Sequence, residues 1–95
     1  RLNARQQVAP VVYFLAADSV GLIKIGVSLN MVRRLIAISS HSPVPVRFIK
    51  AISGDATDEA RLHNKFSHLR VKGEWFRAEP ELMAFIEEGE SAWVP

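Results

Sequence analysis

The sequence predicts a small α+β domain with the element order β-β-α-β-α-β-α. Three observations lead to this fold class. Two neighbouring apolar segments rich in β-branched residues are separated by a turn signal, which predicts a hairpin. Later segments carry apolar residues at helical spacing and follow residues that cap helices well. The chain has 95 residues, of which 48% are hydrophobic, so it can bury one modest core in one domain.

The first half of the chain predicts a hairpin and a helix. Residues 11–16 form a continuous apolar run that is typical of a buried strand. Residues 18–21 read Asp-Ser-Val-Gly and predict a turn into a second strand at residues 22–27. Asn30 then predicts the N-cap of a helix that runs from residue 31 to about residue 40.

The second half begins with a loop, because two prolines in residues 42–45 exclude further helix. Residues 46–52 predict a third strand. Asp55 can cap a second long helix from residue 56 to about residue 69. Three apolar residues of this helix share one face: Leu62, Phe66 and Leu69.

The last elements are shorter. Gly73 ends the preceding segment, and residues 74–76 predict a short extended piece. Pro80 suits the first turn of a final helix, because that turn leaves its N–H without an intrahelical partner anyway. The predicted apolar face of this helix comprises Leu82, Phe85 and Ile86.

The bulk composition excludes some classes of protein and names no partner. There is no cysteine, so disulfides and thiolate metal sites are excluded. No apolar run approaches the roughly 18 residues needed to cross a bilayer, and residues 1–7 are polar and basic. We therefore expect a cytoplasmic protein without a membrane partner. The formal net charge of +2 permits nucleic-acid binding but does not predict it.

Arg34 interrupts an apolar helical stripe. Met31, Leu35 and Ile38 form the stripe of the first helix, and Arg34 lies within it, whereas Arg33 lies outside it. Arg34 either extends its stem along the core edge and its guanidinium into water, or binds a phosphate with its planar set of donors.

Lys24 stands in a strand that is otherwise uncharged. With Asp18 and Ser19 as the hairpin tip, Lys24 directly faces Tyr13, the single tyrosine of the chain. An ammonium beside a phenol lowers the phenol's pKa and helps it to accept a proton. The alternative is a hairpin face that is simply solvated at Lys24, with Tyr13 as an ordinary core residue.

Glu59 and His63 lie four residues apart on the second helix and therefore point the same way. A carboxylate and an imidazole on one helical face can hold a metal ion or exchange a proton, or can form an ordinary surface pair.

Gly26 precedes the first helix, where it either lets a phosphate approach the backbone or meets the needs of a turn. A phenol, an amine, a guanidinium and a carboxylate together suit phosphodiester hydrolysis.

Five short motifs in order resemble the GIY-YIG nuclease superfamily, and a phage- and bacteria-associated branch of it most closely. The resemblance covers about residues 11–87. The motifs are Tyr13-Phe14-Leu15, Ile23-Lys24-Ile25-Gly26-Val27-Ser28, Arg33-Arg34-Leu35, Glu59-Ala60-Arg61-Leu62-His63-Asn64-Lys65-Phe66 and Gly73-Glu74-Trp75-Phe76.

The resemblance implies a three-stranded mixed or antiparallel sheet flanked by helices, and an endonuclease that hydrolyses DNA with Mg²⁺ or Mn²⁺. Tyr13 would be the general base, Arg34 would stabilise the transition state and Glu59 would hold the metal ion. Lys24 stands where many members have a second tyrosine, and would assist Tyr13 or contact the phosphate. His63 would contact metal, water or phosphate.

Two departures from the family's pattern concern the metal site and the targeting of DNA. Some members support the metal with a late asparagine, and the nearest region here is Glu74-Trp75. Larger members also carry a separate DNA-binding domain, so a partner domain or protein for targeting is expected.

Two alternatives keep the fold without the chemistry. In the first, the domain binds nucleic acid, RNA not excluded, and Tyr13, Arg34 and Glu59 do not converge on one metal-sized cavity. In the second, residues near Trp93 dock another protein.

Overall fold

A computed structural model describes residues 9–88, and the proposed docking segment near Trp93 lies outside these residues. The described elements comprise five strands and three α-helices. Their bounds are β1 Val11–Ala17, β2 Leu22–Ser28, α1 Met31–His41, β3 Arg47–Ser53, α2 Ala56–Lys65, β4 Arg70–Lys72, β5 Trp75–Arg77 and α3 Pro80–Glu88.

The sheet is antiparallel throughout, with the strand order β3-β1-β2-β5-β4. The α+β class is confirmed, but the expectation of three strands is wrong, because the sheet has five. β4 was not predicted, since its three residues follow a 3-10 turn and are too short to show an alternating pattern. Gly73, with a φ of 57°, reverses the chain between β4 and β5 in the left-handed region that suits glycine.

The register of the β1–β2 hairpin differs from the predicted one by two residues. Tyr13 pairs with Gly26, and Lys24 pairs with Leu15. The connection is longer than predicted, because residues 18–20 form a 3-10 turn and Gly21 follows with a φ of 66°. A shift of two keeps every side chain on its face, so Lys24 remains on the face of Tyr13 as a diagonal neighbour.

Both predicted helix caps form. The Asn30 side chain accepts a hydrogen bond from the backbone N–H of Arg33 at 3.1 Å. The Asp55 side chain accepts from the N–H groups of Thr57 and Asp58, and the Asp58 side chain accepts from the N–H of Asp55, which completes a capping box. These caps fix where α1 and α2 begin, and hence which of their residues face the sheet.

The main core lies between one face of the sheet and the helices α2 and α3. Phe14 contacts Phe85 of α3 edge to face, and Phe85 contacts Phe66, the C-cap residue of α2, in the same way. All six predicted helix residues are buried: Leu62, Phe66, Leu69, Leu82, Phe85 and Ile86. The other sheet face carries Tyr13 and Lys24, and α1 lies on this side with no fully buried residue.

Candidate functional site

The site forms where β5 begins beside β2. The N–H of Ile25 donates to the carbonyl of Glu74 at 3.0 Å, and its carbonyl accepts from Nε2 of His63 at 2.9 Å. The imidazole thus satisfies a strand carbonyl at the point where the neighbouring strand starts. This bond fixes α2, which packs on one face of the sheet. It thereby brings α2 close to the residues on the other face at the start of β5.

Both ring nitrogens of His63 are engaged. Arg70 donates from Nη2 to Nδ1 at 2.9 Å, and a guanidinium can only donate. The carbonyl of Ile25 can only accept, so Nε2 is the donor in this hydrogen bond. His63 also packs on the ring of Phe76, with 5.1 Å between ring centroids. In this arrangement His63 offers no free lone pair to a metal ion.

Glu59 lies one helical turn from His63, with a carboxylate that is buried and unsatisfied. Its Oε2 has no hydrogen-bond partner among the described residues and lies 3.9 Å from Nε2 of His63. Burial raises the pKa of Glu59, and the nearby carboxylate of Glu74 raises it further. Possible ligand atoms of Glu59, His63 and Glu74 all lie within 4.8 Å of one another.

Glu74 is paired with Lys24. The ammonium of Lys24 donates to Oε1 of Glu74 at 2.9 Å, and both side chains are partly buried. Burial acts to raise the pKa of Glu74, but the hydrogen bond and charge of Lys24, together with Glu59 and His63, outweigh it and hold this pKa below its ordinary value.

Tyr13 is fully buried, and its hydroxyl has no hydrogen-bond partner among residues 9–88. Burial raises the pKa of Tyr13 above its ordinary value, although the charge of Lys24 and the proximity of Arg34 both lower it. The expectation that Lys24 lowers this pKa overall is therefore wrong, because desolvation of the buried phenolate outweighs the attraction. A buried polar atom without a partner is uncommon and indicates a place for a water or a ligand atom.

Arg34 lies on α1 near the Tyr13 hydroxyl, and its guanidinium acts to lower the pKa of that hydroxyl. Its side chain is exposed, while Met31, Leu35 and Ile38 of the same helix are partly buried. No ion pair to Arg34 is found within the described part of the chain. The guanidinium is therefore available to an anion from solvent.

The structure brings all five sequence-predicted residues to one region around the start of β5 beside β2: Tyr13, Lys24, Arg34, Glu59 and His63. Their catalytic roles stay predictions. Glu74 was noted in the sequence as part of the Gly-Glu-Trp-Phe motif and of the region nearest to the late asparagine of some members, but it was not predicted to be a ligand. The sequence did carry a signal for Glu74 as a functional residue, since it is a lone acidic residue after Gly73 at the start of an apolar strand. Only the pairing of β5 with β2 shows which residues it meets.

The donor set suits a hard divalent cation. Magnesium and manganese prefer carboxylate oxygens, keep several waters and need few protein ligands. Glu59 and Glu74 supply two carboxylates, and the unpartnered Oε2 of Glu59 is an acceptor that lacks a donor. Glu59 and Glu74 therefore fit a magnesium or manganese ion. His63 holds α2 against β2 beside this site.

The fold and site define a small antiparallel α+β domain with a polar cluster at one sheet edge. The family model for the T5orf172 domain matches residues 11–88, and the chain belongs to this family. Comparisons with curated proteins and with solved structures gave no match.

The family match corrects the resemblance drawn from the sequence. T5orf172 is a different family from the GIY-YIG nucleases, so that assignment is wrong. It rested on short motifs in which single residues carried most of the weight, and such matches produce false positives. The family is loosely associated with nucleases, and the match gives no direct evidence of metal-dependent cleavage.

Among residues 9–88, no helix has the length and hydropathy that a membrane span requires. The cytoplasmic location stays a prediction.

Proposed function

We propose that this domain is a metal-dependent nuclease that hydrolyses phosphodiester bonds in DNA. The observation that carries the proposal is the convergence of two carboxylates, Glu59 and Glu74, with the side chains of Tyr13, Lys24 and Arg34. Phosphodiester hydrolysis needs a place for a metal ion, cationic groups for the developing charge and an oriented water molecule.

Glu59 and Glu74 would hold Mg²⁺ or Mn²⁺. Such an ion, when bound, polarises a phosphoryl oxygen and lowers the pKa of a water molecule. Lys24 keeps Glu74 charged and oriented through its 2.9 Å hydrogen bond. His63 acts as a positioning residue, because its hydrogen bond to Ile25 holds the helix that carries Glu59 against the sheet edge.

Arg34 binds the phosphate and stabilises charge on its oxygens. A guanidinium presents donors in a planar arrangement that matches phosphate, and that of Arg34 is exposed without an ion pair among the described residues. Tyr13 acts as a neutral phenol, since its raised pKa keeps its proton in place at neutral pH. Its hydroxyl orients the attacking water or donates to a phosphate oxygen, a different role from that of a general base.

The test is a nicking and cleavage assay on single- and double-stranded DNA and on RNA, with Mg²⁺, Mn²⁺ or EDTA. Cleavage should require metal and be abolished by Glu59→Gln and by Glu74→Gln. Glu87→Gln is the matched control, because Glu87 is an exposed residue of α3 outside the site. A folded wild-type protein that cleaves none of these substrates with either metal would overturn the proposal.

A nucleic-acid-binding domain without cleavage is the second candidate. The ion pair between Lys24 and Glu74 favours it, because it neutralises one of the two carboxylates without any metal ion. In that case Arg34→Ala would weaken DNA binding, and metal ions would leave the affinity unchanged.

A further inference from the structure

An open groove of about 400 Å³ lies beside the candidate site, on the sheet face of Tyr13 and Lys24. Its floor includes Ala17 and Leu22, which are a pair in the β1–β2 hairpin. One wall is formed by the loop around Pro43 that follows α1. The other wall is formed by Val71 of β4 and Trp75 of β5.

Trp75 joins the groove to the candidate site. It lines the groove and pairs in the sheet with Lys24, and Nζ of Lys24 lies 5.6 Å from the centroid of the Trp75 ring. The same ammonium bonds Glu74. The groove therefore begins one side chain away from Lys24 and the candidate site around it.

The lining of the groove is carbon-rich and contains no acidic residue among those described. Val20 and Val71 are more than half exposed, at 52% and 54%, so the apolar surface faces solvent. Ser42 contributes a hydroxyl, but that hydroxyl bonds the carbonyl and the N–H of Val44 in its own loop. Lys72 adds a positive charge.

We infer that this groove receives an unpaired base of the nucleic-acid strand whose phosphate lies at Arg34. The inference rests on the proposed function and deepens it, because it names a strand with at least one unstacked base as the ligand. Apolar and aromatic surfaces beside a basic path bind the faces of bases in this way, and phosphates supply the charge complement. A peptide with acidic side chains would gain the same charge complement but would leave the apolar groove unfilled.

The groove does not distinguish one base from another. Base identity is read by hydrogen bonds to base edges, and the hydroxyl of Ser42 is already used within its loop. Lys72 is a flexible point charge that suits a phosphate better than a base edge. Stacking without such contacts tolerates every base. The affinity for a strand should therefore depend on whether a base is present and vary little with which base it is.

The experiment is fluorescence anisotropy in EDTA with two labelled oligonucleotides of equal length, one of thymidine nucleotides and one of abasic residues. Both carry the same phosphates, so the difference isolates the base contribution. Wild-type protein should bind the thymidine strand about tenfold more tightly, the order of magnitude of one base–aromatic stack.

Variants then place the base contribution in the groove. Val71→Glu and Val20→Glu should each remove most of the preference for the thymidine strand. Ile36→Glu is the matched control, because it adds the same charge at an exposed apolar position of α1 two residues from Arg34, on the opposite side of the helix. Circular dichroism checks that all three variants fold.

The outcomes separate the two proposals. Equal affinity for both strands, or groove variants that match Ile36→Glu, would overturn the groove inference. If Arg34→Ala still weakens binding in that case, the proposed function stands alone. Folded wild-type protein that binds neither strand would overturn the nucleic-acid function and the groove inference together.

Discussion

The ring of Tyr13 lies across the backbone of Gly26, its paired residue on β2. A Cβ added at Gly26 would stand 2.4 Å from both Cζ and Oη of Tyr13, which no real contact allows. The glycine is therefore required by the close approach of a side chain, since Gly26 does not have a positive φ. A turn, one of the two roles considered from the sequence, does not explain it, because Gly26 lies within β2. The approach of a phosphate to this backbone stays a prediction.

Gly26→Ala should destabilise the domain by about 1–3 kcal/mol, as overpacking of a filled site does. Because Tyr13 is fully buried, its ring has no open space to move into. The measurement is the free energy of unfolding by urea. In a Tyr13→Leu background the same change should cost much less, because the ring is gone. Equal costs in both backgrounds would show that the ring does not enforce the glycine.

Arg34→Ala should reduce DNA cleavage about a hundredfold, the usual loss when a preorganised charge donor is removed. The affinity for DNA should fall far less, because one phosphate contact is a small part of binding. Arg33→Ala is the matched control, since it removes the same charge from the adjacent exposed position. Single-turnover cleavage and anisotropy measure the two effects. Similar losses of cleavage in both variants would assign Arg34 a general electrostatic role instead.

Divalent metal should bind weakly to the free protein and more tightly with DNA, because two carboxylates make a sparse site that a phosphate oxygen completes. Calorimetry with Mn²⁺, with and without DNA carrying non-hydrolysable linkages, measures this. Glu59→Gln and Glu74→Gln should each weaken binding at least about tenfold, since even outer-shell partners contribute 10- to 100-fold. Tight binding without DNA that survives both substitutions would place the metal elsewhere.

Asp55 should make the stability of the domain depend on acid pH. Hydrogen bonds from the backbone of Asp58 and Thr57 hold the pKa of Asp55 below its ordinary value in the folded state. The ionised cap therefore stabilises the fold in full above the ordinary aspartate pKa, and this stabilisation is lost as pH falls through the lowered pKa.

Thermal unfolding between pH 7 and pH 3 tests this, with Asp55→Asn as the control. Asparagine caps helices about as well as aspartate but does not titrate in this range. The Tm of Asp55→Asn should therefore fall less on acidification than that of the wild type. Parallel curves for the two proteins would exclude Asp55 as a source of the pH dependence.

The strands, helices and caps that could be predicted are those with local signals. Asn30 and Asp55 cap helices by bonding N–H groups two or three residues away, so the sequence around them is sufficient. Helical spacing alone predicts that Leu62, Phe66 and Leu69 are buried, although α2 ends at Lys65 and Leu69 lies in the 3-10 turn that follows it. Lys24 was paired with the wrong residue because the hairpin register depends on the backbone conformation of the turn at Gly21, which composition does not specify.

The sequence by itself determined the fold class, the core residues and a set of polar residues that break the local pattern. Only the tertiary structure decided which of them meet. The pairing of β5 with β2 brings Glu74 to Lys24, and the bond from His63 to Ile25 brings α2 to that edge. These contacts join residues 38 and 50 positions apart, and no local periodicity carries that information. The sign of the Tyr13 pKa shift was decided in the same way, because burial depends on what the whole chain packs around the ring.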